Sequence, residues 1–413
     1  MITKISRIVL IITVIFVLSY VFPEYYWMTF EKHHPTPNII YSALLNDFIQ
    51  TVKRDNKIYR LDNRGKHVSK KEFEKLAPLF FYRSLYYYEA MPDSLNGVAL
   101  SYKKIKRNAI FSQIKPSVIQ TPVIKLSPLL ESVPDGPRLS MPDDFFRITE
   151  RMEFIDCETN EIIPELTESF TKALKAENFS FPAKNFWGNP NIMKPFDEGY
   201  FVLDSNNKLF HVKRVHNKPF VRNVPLPDGI VPVFINVTEM ELREFYAIMI
   251  TEKSEIYLIS YNNYKLIKIP LENYDYRTMK FKLQGTLLYR AFTITSDTSI
   301  AVFVTDRKYN LINKYFQSWP DKYESAAGKI FEAIVPFSIE LTSPHTNYVD
   351  FYIHFSNIFA LTGIIFSLLF YIIYQKKKGD EASQCKLDYL IVLLTGIYGL
   401  TAVILIRDET WKV

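Results

Sequence analysis

The stretch Phe355–Ile406 reads FSNIFALTGIIFSLLFYIIY (355–374), QKKKGDEASQCKLD (375–388) and YLIVLLTGIYGLTAVILI (389–406). Neither outer run holds a charge, and each approaches the ~20 residues that a hydrocarbon core of roughly 30 Å requires. A soluble core helix of that length would show polar positions along one face. The pattern predicts transmembrane helices over 353–374 and 389–406, joined by a Lys-rich loop over 375–388.

A third apolar run lies at the other end, in MITKISRIVLIITVIFVLSYVFPEYYW, where Lys4 and Arg7 precede Ile8–Phe22. Its shortness makes a cleaved signal peptide the rival reading. It lacks a small-x-small cleavage pattern, however, and ends in Pro23, Glu24 and the aromatic cluster Tyr25, Tyr26, Trp27, which suits a membrane interface. An uncleaved anchor over residues 1–26 is expected. Lys4 and Arg7 on one side, and Lys376, Lys377, Lys378 and Lys386 in the loop, orient the chain by the positive-inside rule. The N-terminus and the lysine loop then face the cytoplasm. Three crossings leave a large domain from Trp27 to about Tyr352 outside, with the tail 407–413. Together these place the large domain on the extracytoplasmic side of a membrane.

Composition limits what that domain does. The 413 residues are 48% apolar, with Tyr 27 and Phe 32 but only Gly 12, so the chain is aromatic-rich and ordered. A formal net charge of +6 without a dense Lys/Arg stripe argues against nucleic acid as a partner. Cys157 and Cys385 cannot build a disulfide framework, and the expected topology puts them on opposite membrane faces.

Within the outer part, residues 27–115 read as a small α/β segment. NKIYRLD alternates like a strand, and Ser69 with Glu72 forms a capping box before a short helix ending near Pro78. Six prolines between Pro116 and Pro142 make a linker, because proline lacks an N–H and fixes φ. Residues 143–352 are mostly strand-like after one helix opened by Pro164, whose Leu166, Phe170, Ala173 and Leu174 share a face. Passages starting at Gly199, Tyr246 and Ala291 each read strand, polar turn, strand, recurring every ~45 residues, near the length of a propeller blade. Repeated hairpins of any antiparallel sheet look similar. The fold class expected is therefore three transmembrane helices with a mainly antiparallel β, propeller-like extracytoplasmic domain and a small α/β N-terminal part.

The search for chemistry is largely negative. No phosphate loop, G-x-S-x-G or HExxH motif is present. Asp143 and Asp144 are adjacent after a proline, a pattern more typical of a turn than of an acid/base pair. His33 and His34 follow the first helix, while His345 and His354 precede the second, so four imidazoles, with Met28 nearby, are candidate copper or zinc ligands at the outer membrane surface. HHPTP is equally an ordinary polar exit from a membrane helix. Gly363 with Ser367, and Thr395 with Gly399, are small-xxx-small pairs that let helices approach closely.

TPNIIYSALLNDFI (36–49), MPDDFFRITERMEFIDCETNEI (141–162), FDEGYFVLDSNNKLFHVKR (196–214) and a terminal helix pair ending RDETWKV resemble an uncharacterised membrane-protein family of Bacteroides-type bacteria. The resemblance implies an accessory protein of ABC-type transporters, without assigned catalysis or cofactor. The expected function is thus a non-catalytic accessory subunit whose outer domain binds a substrate or partner. Its own partners would be the bilayer, a permease and its ATPase. The alternative is an anchored envelope sensor or metal-binding module.

Overall fold

The computed structural model describes residues 2–31, 34–122, 124–343, 345–378 and 386–406. The chain divides into two compact units, one of residues 1–35 with 318–413 and one of residues 36–317.

The chain opens with α1 (Ile2–Phe30), which belongs to the first unit. The second unit is a stack of antiparallel sheets. It starts with β1 (Asn38–Ser42), β2 (Asp47–Arg54) and β3 (Lys57–Leu61), paired in that order. Helix α2 (Lys70–Leu76) follows, started by the expected capping box: Ser69 Oγ accepts from Glu72 N–H, and Glu72 accepts from Ser69 N–H. Then come α3 (Tyr82–Tyr87), the two-residue strands β4 (Ser94–Leu95) and β5 (Val98–Ala99), α4 (Tyr102–Asn108), β6 (Ile110–Ile114) and α5 (Pro116–Ile119). The Pro-rich stretch lies inside this unit, irregular beyond α5, with Leu129 and Leu130 buried. A hairpin of β7 (Asp144–Ile148) and β8 (Met152–Asp156) then packs on α6 (Pro164–Ala176) through Phe154 and Phe170.

Three meanders follow. The first runs β9 (Asn185–Gly188), β10 (Tyr200–Leu203), β11 (Leu209–Val215) and β12 (Lys218–Val224). The second runs β13 (Pro232–Val237), β14 (Phe245–Thr251), β15 (Ile256–Ser260) and β16 (Leu266–Lys268). The third runs β17 (Lys280–Gly285), β18 (Arg290–Thr295), β19 (Ser299–Thr305) and β20 (Leu311–Ser318), with β6 added beside β17.

Their central strands are apolar on both faces because each sheet is covered on both. In β14 and β15, Phe245, Ile248 and Leu258 meet Phe281 and Phe292 of the third meander, while Ala247, Met249 and Ile259 meet Phe201 and Leu209 of the first. The first meander's other face carries Tyr200, Val202 and Phe210 against Phe146 and Phe170. The three strand–turn–strand readings are borne out, whereas the propeller is not: no ring closes. One end of the stack is capped by α6 with β7–β8 and the other by β1–β3, so the terminal sheets never meet.

The first unit continues through a short 3-10 turn (Lys322–Glu324), α7 (Ala326–Ile334), the hairpin β21 (Phe337–Thr342) and β22 (Val349–Phe355), and α8 (Ala360–Lys378), α9 (Lys386–Thr395) and α10 (Ile397–Leu405). Here the expectation of three spans is corrected. Among the described residues one helix, Ile5–Phe30 of α1, is long and apolar enough to cross a membrane. The second run does not make a full-length apolar helix. Its first residue, Phe355, ends β22, Asn357 Oδ1 accepts the Phe359 N–H, and α8 begins at Ala360, leaving fifteen residues before Gln375. The run at 389–406 is bent double. Gly396 adopts φ 55° and ψ −128°, a region that side chains with a Cβ rarely enter, and divides the run into α9 and α10. Arg7 contacts both ends of the hairpin, Asp388 and the Ile406 carbonyl, which a straight helix would hold roughly 27 Å apart. Ile406 therefore ends beside Arg7 and not on the opposite side. The tail 407–413 and Cys385 lie outside the described residues.

Within this unit the small residues act as expected at one position. A Cβ on Gly363 would sit 2.5 Å from the Ile334 carbonyl oxygen, so only glycine lets α8 approach the end of α7 this closely. Trp27, Phe331, Val335 and Tyr398 form one core cluster, and Ile11, Tyr371, Val392, Ala402 and Val403 another.

Candidate functional site

In the second unit the sheet β1–β3 covers the third meander incompletely. A cavity of about 560 Å³ opens between Ile39 and Tyr41 of β1 on one side and Phe111 of β6 and Ala291 of β18 on the other. Phe80 and Phe81, from the segment between α2 and α3, form a third wall. The local sequence explains this placement. Helix α2 ends at Leu76 just before Pro78, and the apolar run Leu79–Phe81 turns inward ahead of α3. Phe111 occupies an outward position of β6, an edge strand bonded only to β17, and stays 62% exposed. Tyr289 braces the wall: its O–H donates to the Tyr41 carbonyl at 2.9 Å, the rings pack edge to face at 4.9 Å, and burial pushes its phenol pKa upward.

Among the described residues no Asp, Glu, His, Cys or Lys lines this cavity, and Arg83 is the one charged residue that does. Arg83 Nε donates to the Tyr82 hydroxyl at 3.2 Å, and among the described residues it has no carboxylate partner. Two positions along the same strand face from the lining residue Gln284 lies Lys282, whose Nζ donates to Asn38 Oδ1 at 3.2 Å. Burial lowers the pKa of this ammonium. The cavity is thus mostly apolar and basic at its margin.

A second constellation lies where the first two meanders meet. Lys194 pairs with Asp197 and Glu239, both at 2.6 Å, and Glu239 also accepts the Glu198 N–H. Glu198 in turn accepts from Lys213 at 3.0 Å and from the Tyr261 hydroxyl at 2.8 Å. His211 is fully buried and stacked on Phe201, with ring centroids 4.5 Å apart. Its Nε2 lies 2.5 Å from the Glu198 carbonyl, an acceptor only, so Nε2 carries the proton and Nδ1 accepts from the Tyr264 hydroxyl at 2.9 Å. Burial pushes the His211 pKa down to about 3, and burial raises that of Glu239 despite its lysine. Each of these charges has a partner, so the network locks two sheets together.

The sequence candidates fare differently. His34 is exposed, and His354 is half-buried and stacked on Tyr323 at 4.5 Å. His345 sits in the turn between β21 and β22, its N–H donating to Ser343 Oγ. His33 lies outside the described residues. Among the described residues no group of three or more His, Cys, Asp or Glu is placed to hold a metal ion. Asp144 of the Asp143–Asp144 pair is taken up by a two-pronged salt bridge to Arg214, at 2.6 and 3.0 Å.

Like the network around Lys194, two further charge clusters are not marked by any local sequence pattern. Arg290, fully buried, pairs with Glu244, which also takes the Tyr309 hydroxyl and Arg307. Burial raises the Glu244 pKa, but these partners outweigh it and the net shift is downward. In the first unit Arg7 grips Asp388 at 2.9 and 2.8 Å, Tyr371 donates to the same carboxylate, and Gln375 donates to Tyr371. Asp388 reads as one more charge of a polar loop. Nothing local marks it as a partner of a residue near the N-terminus.

Residues 38–305 match a family described as a domain of unknown function, DUF4857. The chain belongs to the DUF4857 family. The DUF4857 region begins with β1 and ends with β19, so it contains both the cavity and the charged network. The expected kinship with an uncharacterised family holds, and the comparisons add no link to transporters. A Bacteroides fragilis protein described as exported aligns with this DUF4857 member at 8% identity, over 60% of this chain and 84% of its own, with a TM-score of 0.15. That likeness is too slight to carry an argument. No curated protein matches.

Proposed function

We propose that this DUF4857 protein is a non-catalytic, bilayer-anchored binding subunit. Unit 36–317 would hold a ligand or partner on the periplasmic side of a bacterial inner membrane, and the helices would dock beside a permease served by an ATPase. The observation that carries the reading is the reversed polarity of the first unit. Ile12 of α1 and Phe366 of α8 are 60% and 73% exposed, while Arg7 and Asp388 turn inward upon each other. Such a surface is stable against lipid or another apolar helix and costly in water. The acid-free cavity of the second unit supports binding over catalysis.

The test is mass spectrometry of whatever accompanies the tagged full-length protein out of native membranes in mild detergent. Stoichiometric recovery of a permease and its ATPase is the expected result. Recovery of the protein alone, or its release from membranes by alkaline carbonate, overturns the proposal.

A further inference from the structure

We infer that the cavity between β1 and β18 binds a single-chain amphiphile: an apolar body seated among Ile39, Phe80, Phe111 and Ala291, with an acidic head on Arg83. The inference rests on the reading of the protein as an anchored binding subunit and names what the second unit binds.

Four features of the site carry it. The volume of about 560 Å³ suits a ligand of lipid or drug size. Its walls are mostly aliphatic and aromatic, with Ser84, Gln284 and Thr286 as the uncharged polar exceptions, which favours a body that gains by leaving water. Its charge has one sign, because Arg83 is present and no carboxylate among the described residues lines the cavity. The guanidinium also has unused capacity: Nε is engaged by Tyr82, whereas Nη1 and Nη2 have no hydrogen-bond partner among the described residues. A carboxylate or phosphate head presents two oxygens to such a fork, with charge-assisted bonds in place of hydration. A cation would find no acidic ligand here. A nucleotide would leave most of its polar groups against aromatic walls.

Phe111 adds an independent sign. It is an exposed aromatic on an edge strand, and it borders a cavity instead of packing into a core. An apolar chain lying along it would cover that surface.

The experiment uses the full-length protein in phosphatidylcholine nanodiscs, photolabelled with a diazirine analogue of palmitate. Palmitate, hexadecyl phosphate and hexadecanol serve as competitors. Label is expected in peptides holding Phe80–Ser84 and Phe111. Both anions should compete about tenfold or more better than the alcohol, since a hydrogen bond to a charged group contributes on that scale. Palmitate alone competing assigns a carboxylate head, and hexadecyl phosphate alone competing assigns a phosphate head. Arg83→Gln, at an exposed position, should erase the preference for anions. Ala291→Phe should fill the cavity and remove the label there. If Ala291→Phe fails to fold, Ser84→Trp at the cavity wall makes the same test. Label confined to residues 2–31 and 360–406, equal competition by the alcohol, or an unaltered preference in Arg83→Gln each overturns the inference. Partner recovery is measured on the same Arg83→Gln protein. A missing amphiphile with the permease retained refutes the ligand and leaves the anchored subunit standing.

Discussion

Strand β18 and helix α8 are written in similar apolar letters, yet they end in opposite surroundings. Phe292 of β18 is 0% exposed, between sheets that cover both of its faces, whereas Phe366 of α8 is 73% exposed. The difference teaches that apolar content states a demand for cover and says nothing of what provides it. In the second unit the cover is the next sheet of the same chain. In the first, as we propose, it is lipid or a neighbouring helix. The polar groups follow suit: Arg7 and Asp388 face each other inside a small helical cluster, while Lys194, Asp197 and Glu239 clamp one sheet to the next.

The largest effect should separate those two phenylalanines directly. Phe292→Ala is expected to destabilise the second unit by about 3–5 kcal/mol through the cavity it leaves. Phe366→Ala should change the unfolding of the same nanodisc-held protein by less than about 0.5 kcal/mol, as for surface positions generally. Comparable losses in thermal and denaturant unfolding would break the contrast. Next comes the inward pair of the first unit. Arg7→Met strands a buried Asp388 and should cost about 3–5 kcal/mol, much of it regained in the Arg7→Met/Asp388→Leu double variant. A double variant no better than the single one would mean that the tie specifies the hairpin and does more than neutralise charge.

Acid should weaken the second unit through His211. Its folded pKa, about 3, lies below the unfolded value of 6.5, so the unfolded chain binds the extra proton between those limits. The stability is fully present above pH 6.5 and is lost as pH falls toward 3, at up to about 1.4 kcal/mol per pH unit. Glu239 runs the other way, since a raised carboxyl pKa favours the folded state at low pH and loses that advantage as pH rises through it. Chemical denaturation at stepped pH should show a shallower acid slope in His211→Gln, once its lower overall stability is subtracted. The smallest effect concerns a local signal. Ser69→Ala removes the cap of α2 and should cost about 1 kcal/mol, with no change in the helices of the first unit.

That last residue shows how much was legible. The Ser69–Glu72 box, the helix opened by Pro164 and the three strand–turn–strand passages depend on neighbours a few positions away, so they can be read along the chain. The walls of the cavity could not be found this way. Ile39, Phe111 and Ala291 are ordinary members of three separate strands until the layers bring them together.

By itself the sequence determined where several of the strands and helices lie, that α1 holds an uncharged apolar run over Ile8–Phe22, and that the second unit would be mainly antiparallel, because these follow from periodicity and local propensity. Only the tertiary structure decided that 389–406 folds back on itself, that no blade ring closes, and that Asp388 belongs to Arg7. The reason is physical. Glycine at 396 permits a reversal without requiring one, and the contact that makes the reversal favourable joins residues 381 positions apart. Whether an apolar face meets protein or lipid is settled by the same long-range packing, which no local pattern contains.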